Sequence, residues 1–279
     1  SGKLDLSENA VLSGLLNHLE TDTAVAAMRT SITRTERTSD LSLTLPDGAR
    51  EAVTALLAKA LDDSEFSTPV VLLVTATARE AEDLARGLDS WMDAEVVGHF
   101  PSWETLPHER LSPRSDTVGA RMAILRKLAH PGRDGQKPLK IVTAPVRSIV
   151  QPIVKGLGDL EPVLLQAGEF YNFEQVVEDL ASAAYSRVDM VSRRGEFAVR
   201  GGIIDVFPPT DDHPYRVEFF GDEVEDIRYF SIADQRSLVD TSEDGSETPT
   251  KMYASPCREL LLTDEVQQRA RDLQASMPN

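Results

Sequence analysis

The order of apolar and polar positions divides the chain into two parts. In the first part, short apolar runs alternate with segments whose apolar side chains recur every three or four residues. This alternation of strands and helices is typical of an α/β layer with parallel strands. The run 70–74 has no polar member, which predicts a strand covered on both faces. The predicted strands are 41–45, 70–74, 96–97 and 139–144, and the predicted helices are 49–61, 81–88 and 117–128.

In the second part, short segments alternate with period two and are separated by turns. A helix is predicted after Asn172, because asparagine is a good N-cap and apolar residues follow it at helical spacing. A helix beside an antiparallel sheet indicates an α+β arrangement instead of a second parallel layer. The predicted strands of this part are 197–200, 203–207, 215–220 and 227–230.

Composition narrows the classes of protein. A chain of 279 residues that is 41% hydrophobic can bury a sizeable core, and its longest apolar runs are far too short to cross a bilayer. Its start lacks the features of a signal peptide, and its single cysteine, Cys257, excludes an internal disulfide, so we expect a cytoplasmic protein. With 46 acidic and 29 basic residues, the net charge of −17 disfavours non-specific nucleic-acid binding.

The motifs of common catalytic sites are missing from the sequence. The strand, turn and helix pattern "LSLTLPDGAREAV" is where a phosphate-binding loop is expected, but it has one glycine, Gly48, and no lysine. The His108-Glu109 pair lacks the second histidine, four residues after the first, of a zinc-protease helix. We therefore predict no catalytic residue, no metal site and no cofactor, and hence no enzyme, in this chain.

One stretch suggests a binding surface. In "YRVEFF", period two directs Arg216, Glu218 and Phe220 to the face opposite the core. Arg200 ends another strand, and the two glycines at 201–202 permit a tight bend that brings it alongside Arg216 on a neighbouring strand. Arginine beside an exposed aromatic is typical of interface hot spots. Ordinary ion pairs with local carboxylates are the alternative, but they leave the outward Phe220 unexplained.

Two motifs carry a family resemblance. "SRRGEFAVRGGIIDVFPPTDDHPYRVEFFGDEVEDIRYFSIADQRS" resembles the inserted domain shared by the excision-repair protein UvrB and the transcription-repair coupling factors (Mfd), and "PSWETLPHERLSP" resembles the coupling-factor version. The resemblance implies a degenerate helicase-like (RecA-type) parallel-sheet α/β domain with an inserted α+β domain that contains an antiparallel sheet. The implied parts are a partly helical extension (1–38), the α/β domain (39–155), the UvrA-binding insert (156–239), and an acidic linker with a segment returning to the α/β domain (240–279).

The same resemblance implies a function. This region would recruit UvrA to stalled RNA polymerase for transcription-coupled nucleotide excision repair, as a non-catalytic platform. The parent protein would be an ATP-dependent DNA translocase, with ATP and Mg²⁺, RNA polymerase and DNA bound outside this chain. By motif, UvrA would contact Arg200, Arg216 and Phe220, with Arg187, Arg194 and Glu218 as further contributors. A UvrB-like nucleotide- or DNA-binding module stays open as the alternative.

Overall fold

A computed structural model describes residues 12–33, 41–62, 66–105, 113–237, 249–259 and 264–276. The chain divides into two compact units, which we call the first and second unit. The first unit contains Ser1–Ser102 and Ile124–Ile153, and the second contains Trp103–Ala123 and Val154–Asn279. The His108-Glu109 pair and most of the acidic linker lie outside the described residues. None of the described helices has the length and apolar character needed to span a bilayer.

The first unit is an α/β layer built on a parallel sheet. Its three strands are β1 (Val71–Thr75), β2 (Val97–His99) and β3 (Ile141–Pro145). They lie in the order β1-β3-β2, and Ile141 at the centre is in register with Val71 on one side and Val97 on the other. Ile141 packs with Ala55, Leu56 and Leu88 of the neighbouring helices. The elements are α1 (Ser13–Leu19), α2 (Thr23–Thr33), α3 (Arg50–Asp62), β1 (Val71–Thr75), α4 (Ala78–Leu88), β2 (Val97–His99), α5 (Ser115–Ala129, which begins in the second unit), β3 (Ile141–Pro145) and α6 (Val146–Val150).

Two sequence predictions for this unit are wrong. Residues 41–45 form no strand, although their leucines alternate with polar residues, because alternation alone does not supply a strand to pair with. Strand β1 is not covered on both faces, since Leu72 and Val74 are 52% and 47% exposed. The mixed α/β class and the parallel sheet are confirmed, and the helicase-type assignment stays a prediction.

The second unit contains two sheets that include antiparallel strands. Strands β4 (Val163–Gln166) and β10 (Lys251–Ala254) pair with each other, so the segment predicted to return to the α/β domain pairs here with β4. The strands of the other sheet are β5 (Ser186–Arg187), β6 (Glu196–Arg200), β7 (Ile203–Val206), β8 (Tyr215–Phe220) and β9 (Glu223–Tyr229). They lie in the order β5-β6-β7-β8-β9, with β5 parallel to β6 and the rest antiparallel.

Helix α7 (Phe173–Ser182) closes the core of the second unit. The side chain of Asn172 accepts a hydrogen bond from the amide of Gln175 at 2.9 Å, which confirms the predicted N-cap. Buried Val176 and Leu180 pack with one face of the five-stranded sheet. That face is therefore core, and the opposite face carries the polar side chains described below. The last described helix is α8 (Asp264–Ser276).

Candidate protein-docking face

The face of the five-stranded sheet opposite the core carries four of the predicted residues. Cross-strand register places Ala198, Asp205, Arg216 and Arg228 in one row, and Arg200, Ile203, Glu218 and Asp226 in the next. Directly paired residues share a face, and alternate residues of one strand do so too, which adds Phe220 beyond Glu218. We call this surface, formed by Arg200, Asp205, Arg216, Glu218, Phe220 and Arg228, the arginine face.

A buried carboxylate joins the two arginines that the sequence singled out. Arg200 Nη2 donates to Asp205 Oδ2 at 2.8 Å, while Arg216 Nε and Nη2 donate to the two Asp205 oxygens at 2.7 and 2.9 Å. The arginines lie on β6 and β8 with β7 between them, so the prediction of neighbouring strands is wrong. Their proximity is confirmed, and it depends on Asp205, which is 1% exposed.

Arg216 is held more tightly than Arg200. Its Nη1 donates to the Gln235 carbonyl oxygen at 3.1 Å, and its guanidinium lies over the Phe230 ring, 4.7 Å from the centroid. The side chain is only 14% exposed, and the hydrogen bonds to Asp205 raise its pKa above the usual value for arginine. Arg216 is therefore fixed beside Asp205 and mostly buried, whereas Arg200 is half-exposed.

Phe220 is exposed because successive side chains of a strand point to opposite faces, and the preceding residue, Phe219, points into the core. Phe219, the preceding residue, meets Phe173 of α7 edge to face, with ring centroids 5.1 Å apart. Burial of Phe219 turns Phe220 to the other face, where it is 79% exposed. An exposed aromatic ring and an exposed arginine on one face match the side chains that are enriched in protein interfaces.

Two glycines form the tight turn that ends β6 beside Arg200. Gly201 has φ of +59°, a conformation that glycine adopts without strain. A Cβ atom on Gly202 would lie 2.8 Å from the carbonyl oxygen of Phe219, and the Gly202 carbonyl accepts from the Phe219 amide at 2.8 Å. The predicted bend at 201–202 is therefore confirmed, and it places the turn directly against β8.

The remaining predicted residues take three different positions. Glu218 lies on the arginine face and pairs with Arg228, which also donates to Asp226 at 2.7 Å. Arg194 precedes β6, donates to the Asp211 carbonyl and the Asp212 carboxylate, and lies over the Phe207 ring. Arg187 is in register with Phe197, a core-face residue, so the structure does not place it on the arginine face.

Sequence comparison with known proteins identifies the family of this chain. The UvrB interaction domain model matches residues 163–251, which include the arginine face. The chain is 48% identical over 244 residues to the transcription-repair-coupling factor of Mycobacterium tuberculosis (strain CDC 1551 / Oshkosh), covering 87% of the chain and 18% of that protein.

The chain belongs to the transcription-repair-coupling-factor family. It is also 32% identical over 230 residues to the Bacillus subtilis coupling factor, covering 82% of the chain and 18% of that protein. The Escherichia coli coupling factor is 29% identical over 169 residues, covering 60% of the chain and 14% of that protein. The prediction that this is the N-terminal UvrB-like region of a coupling factor is confirmed. The chain spans less than a fifth of the length of these relatives.

Sequence reasoning missed Asp205 and Arg228 of the arginine face, and the exposed Phe170 outside it. Asp205 carried a signal, because it is the one charged residue in the apolar run "IIDVF", and a buried carboxylate requires a partner. Phe170 carried none, because it lies in an isolated bridge to Glu223, too short to show a period. It is 71% exposed. Within the described ranges, no three His, Cys, Asp or Glu side chains are grouped as metal ligands would be.

Proposed function

We propose that this chain is the UvrA-docking module of a transcription-repair coupling factor. It binds an acidic and apolar patch of UvrA through the arginine face and so recruits UvrA to a stalled RNA polymerase for nucleotide excision repair. The chain is a non-catalytic platform. ATP-driven translocation and the binding of RNA polymerase and DNA belong to the rest of the parent protein.

The observation that carries the proposal is the exposure of Phe220 beside Arg200. Both lie on one sheet face within the region that matches the UvrB interaction domain. An apolar ring supplies buried area on binding, and a half-exposed guanidinium supplies directional hydrogen bonds to a carboxylate. An ion pair with Asp205 orients Arg200 before binding, which lowers the entropy lost on docking.

The test is calorimetric titration of the folded chain with UvrA from the organism that encodes it. We expect Arg200→Ala and Phe220→Ala each to weaken binding by about 2 kcal/mol or more, about 30-fold in Kd. Each substitution removes a side chain that a partner can reach, and neither removes an apolar core contact. Asp205 loses one hydrogen bond in Arg200→Ala but keeps the two from Arg216, so the melting temperature should stay close to that of the wild type.

The matched control is Arg228→Ala, which removes an arginine from the same face. Arg228 already pairs with Glu218 and Asp226, so its loss should change UvrA binding much less than the loss of Arg200. Wild-type affinity in correctly folded Arg200→Ala and Phe220→Ala variants would refute the proposed docking face.

A further inference from the structure

A second aromatic side chain lies at the same end of the five-stranded sheet as Phe220. Phe170 forms an antiparallel bridge with Glu223, and Glu223 is in turn paired with Phe220 across the β8–β9 hairpin. The amide of Val224 donates to the Glu169 carbonyl and the amide of Tyr171 to the Asp222 carbonyl, so the Phe170–Glu223 pair is the closely spaced, non-hydrogen-bonded kind.

These pairings place Phe170, Glu223 and Phe220 in one row. Paired residues share a face, so two phenylalanines stand on either side of a carboxylate. Neighbouring strands are about 4.8 Å apart, which separates the two phenylalanine backbones by about 10 Å. A cation centred between them would lie about 5 Å from each ring position, within the roughly 6 Å range of cation–π attraction.

The surroundings of this row are negative. The segments 169–182 and 221–227 contain no lysine or arginine. Among the described residues, Glu223 forms no ion pair. The acidic residues of the two segments are Glu169, Glu174, Glu178, Asp179, Asp222, Glu223, Glu225 and Asp226.

We propose that Phe170, Glu223 and Phe220 form a slot that takes one lysine or arginine side chain of UvrA. The inference rests on the proposed function, because it takes UvrA as the partner. The aliphatic stem of that side chain packs between the two rings, and its charged end pairs with Glu223. A purely apolar side chain fits less well, because it would leave the Glu223 carboxylate desolvated without a partner.

The slot extends the docking face and changes what it selects. Arg200 favours a carboxylate on the partner, while the slot favours a cation beyond Phe220. A partner surface must therefore present an acidic group and a basic group on opposite sides of the Phe220 contact. A pattern of one acidic and one basic group orients the complex and disfavours partner surfaces of uniform charge.

The test is titration of UvrA with Phe170→Ala, Phe220→Ala, the double variant and Glu223→Gln. We expect Phe170→Ala and Glu223→Gln each to raise Kd about tenfold or more. The double phenylalanine variant should lose less than the product of the two single losses, because both rings contact the same side chain. Glu223→Gln should also flatten the salt dependence of Kd, since it removes an attractive charge.

Leu273→Ala on α8 is the control, because Leu273 is an apolar residue of similar exposure, 61%, outside this sheet. It should leave Kd unchanged. If Arg200→Ala and Phe220→Ala weaken binding while Phe170→Ala and Glu223→Gln do not, the slot is overturned and the proposed function stands. Fully multiplicative losses in the double variant also overturn the slot. Wild-type protein that does not bind UvrA overturns both. Self-association lost in Phe170→Ala identifies a second copy of this chain as the occupant and overturns the slot as proposed.

Discussion

At the scale of single residues, the proposed docking face depends on a carboxylate that is almost fully buried, that of Asp205. Asp205 is buried between Arg200 and Arg216 and accepts three hydrogen bonds from them. Two cations on one side of a sheet repel each other, and Asp205 offsets that repulsion while fixing where the guanidinium of Arg200 points. Arg216 contributes by holding Asp205, so its role is positional.

Replacement of Asp205 should therefore affect stability more than replacement of a more exposed acid. We expect Asp205→Ala to lower the free energy of unfolding of the second unit by about 3 kcal/mol, because it leaves the mostly buried Arg216 without its ion pair. Asp226→Ala also removes a carboxylate partner of an arginine on this face. Asp226 is only partly buried and Arg228 keeps Glu218, so the loss should stay below about 1 kcal/mol. Urea unfolding in a Trp91→Phe background isolates the fluorescence of Trp103, which lies in the second unit. Equal losses in the two variants would contradict this assignment.

At the scale of elements, two tight hairpins bring the proposed docking residues Arg200 and Phe220 to one end of the sheet. The β6–β7 turn at Gly201 and Gly202 follows Arg200, and the β8–β9 turn at Gly221 and Asp222 follows Phe220. Gly201 and Gly221 have positive φ, a conformation that glycine adopts without strain and that most other residues adopt only at a cost. Turn chemistry thus determines where the docking residues stand.

The two glycines of the β6–β7 turn should respond differently to substitution. Gly202→Ala places a methyl group 2.8 Å from the Phe219 carbonyl oxygen, and backbone cannot move as a side-chain tip does. We expect it to cost about 2 kcal/mol of stability and to weaken UvrA binding, because β8 and Phe220 shift. Gly201→Asn meets open space and keeps the left-handed conformation, so it should cost less than about 1 kcal/mol. Urea unfolding and UvrA titration of both variants check the contrast, which fails if Gly201→Asn is the more damaging change.

Local sequence patterns correctly predicted which side chains share the arginine face. Period two correctly placed Arg200, Arg216, Glu218 and Phe220 on one face, because alternation along a strand is a local property. It gave no information on Asp205 as a bridge, since that contact depends on register between three strands. The exposed side of β1 was missed for a related reason: an apolar run indicates burial, but what covers each face is determined by the rest of the fold.

At the scale of the whole molecule, charge and pairing argue against a DNA-binding role for the arginine face. In its two central rows, Arg200, Arg216 and Arg228 are matched by Asp205, Glu218 and Asp226, so the face carries no net positive charge. The net charge of −17 adds a long-range repulsion of phosphate. Arginines engaged by carboxylates release few counterions from DNA, and salt-dependent DNA affinity should therefore be weak.

The alternative that this chain binds a nucleotide can also be tested. Where a phosphate cradle is expected, a short turn at Asp47–Ala49 precedes α3, and a cavity of about 300 Å³ is lined by the carboxylates of Asp47, Glu51, Glu80 and Asp83. The guanidinium of Arg50 in this cavity already donates to Glu80 at 2.5 Å and to Asp47 at 3.2 Å. Arg79 also lines the cavity and pairs with Asp83 at 3.7 Å. Four carboxylates repel a triphosphate more than these two engaged arginines attract it. We expect the melting temperature to be unchanged by Mg-ATP, whereas a ligand at 100 times its Kd stabilises a protein by about 2.7 kcal/mol. A saturable rise in melting temperature that requires Mg²⁺ and disappears in Arg50→Ala would establish a nucleotide site here and contradict the assignment of the chain as a non-catalytic docking platform.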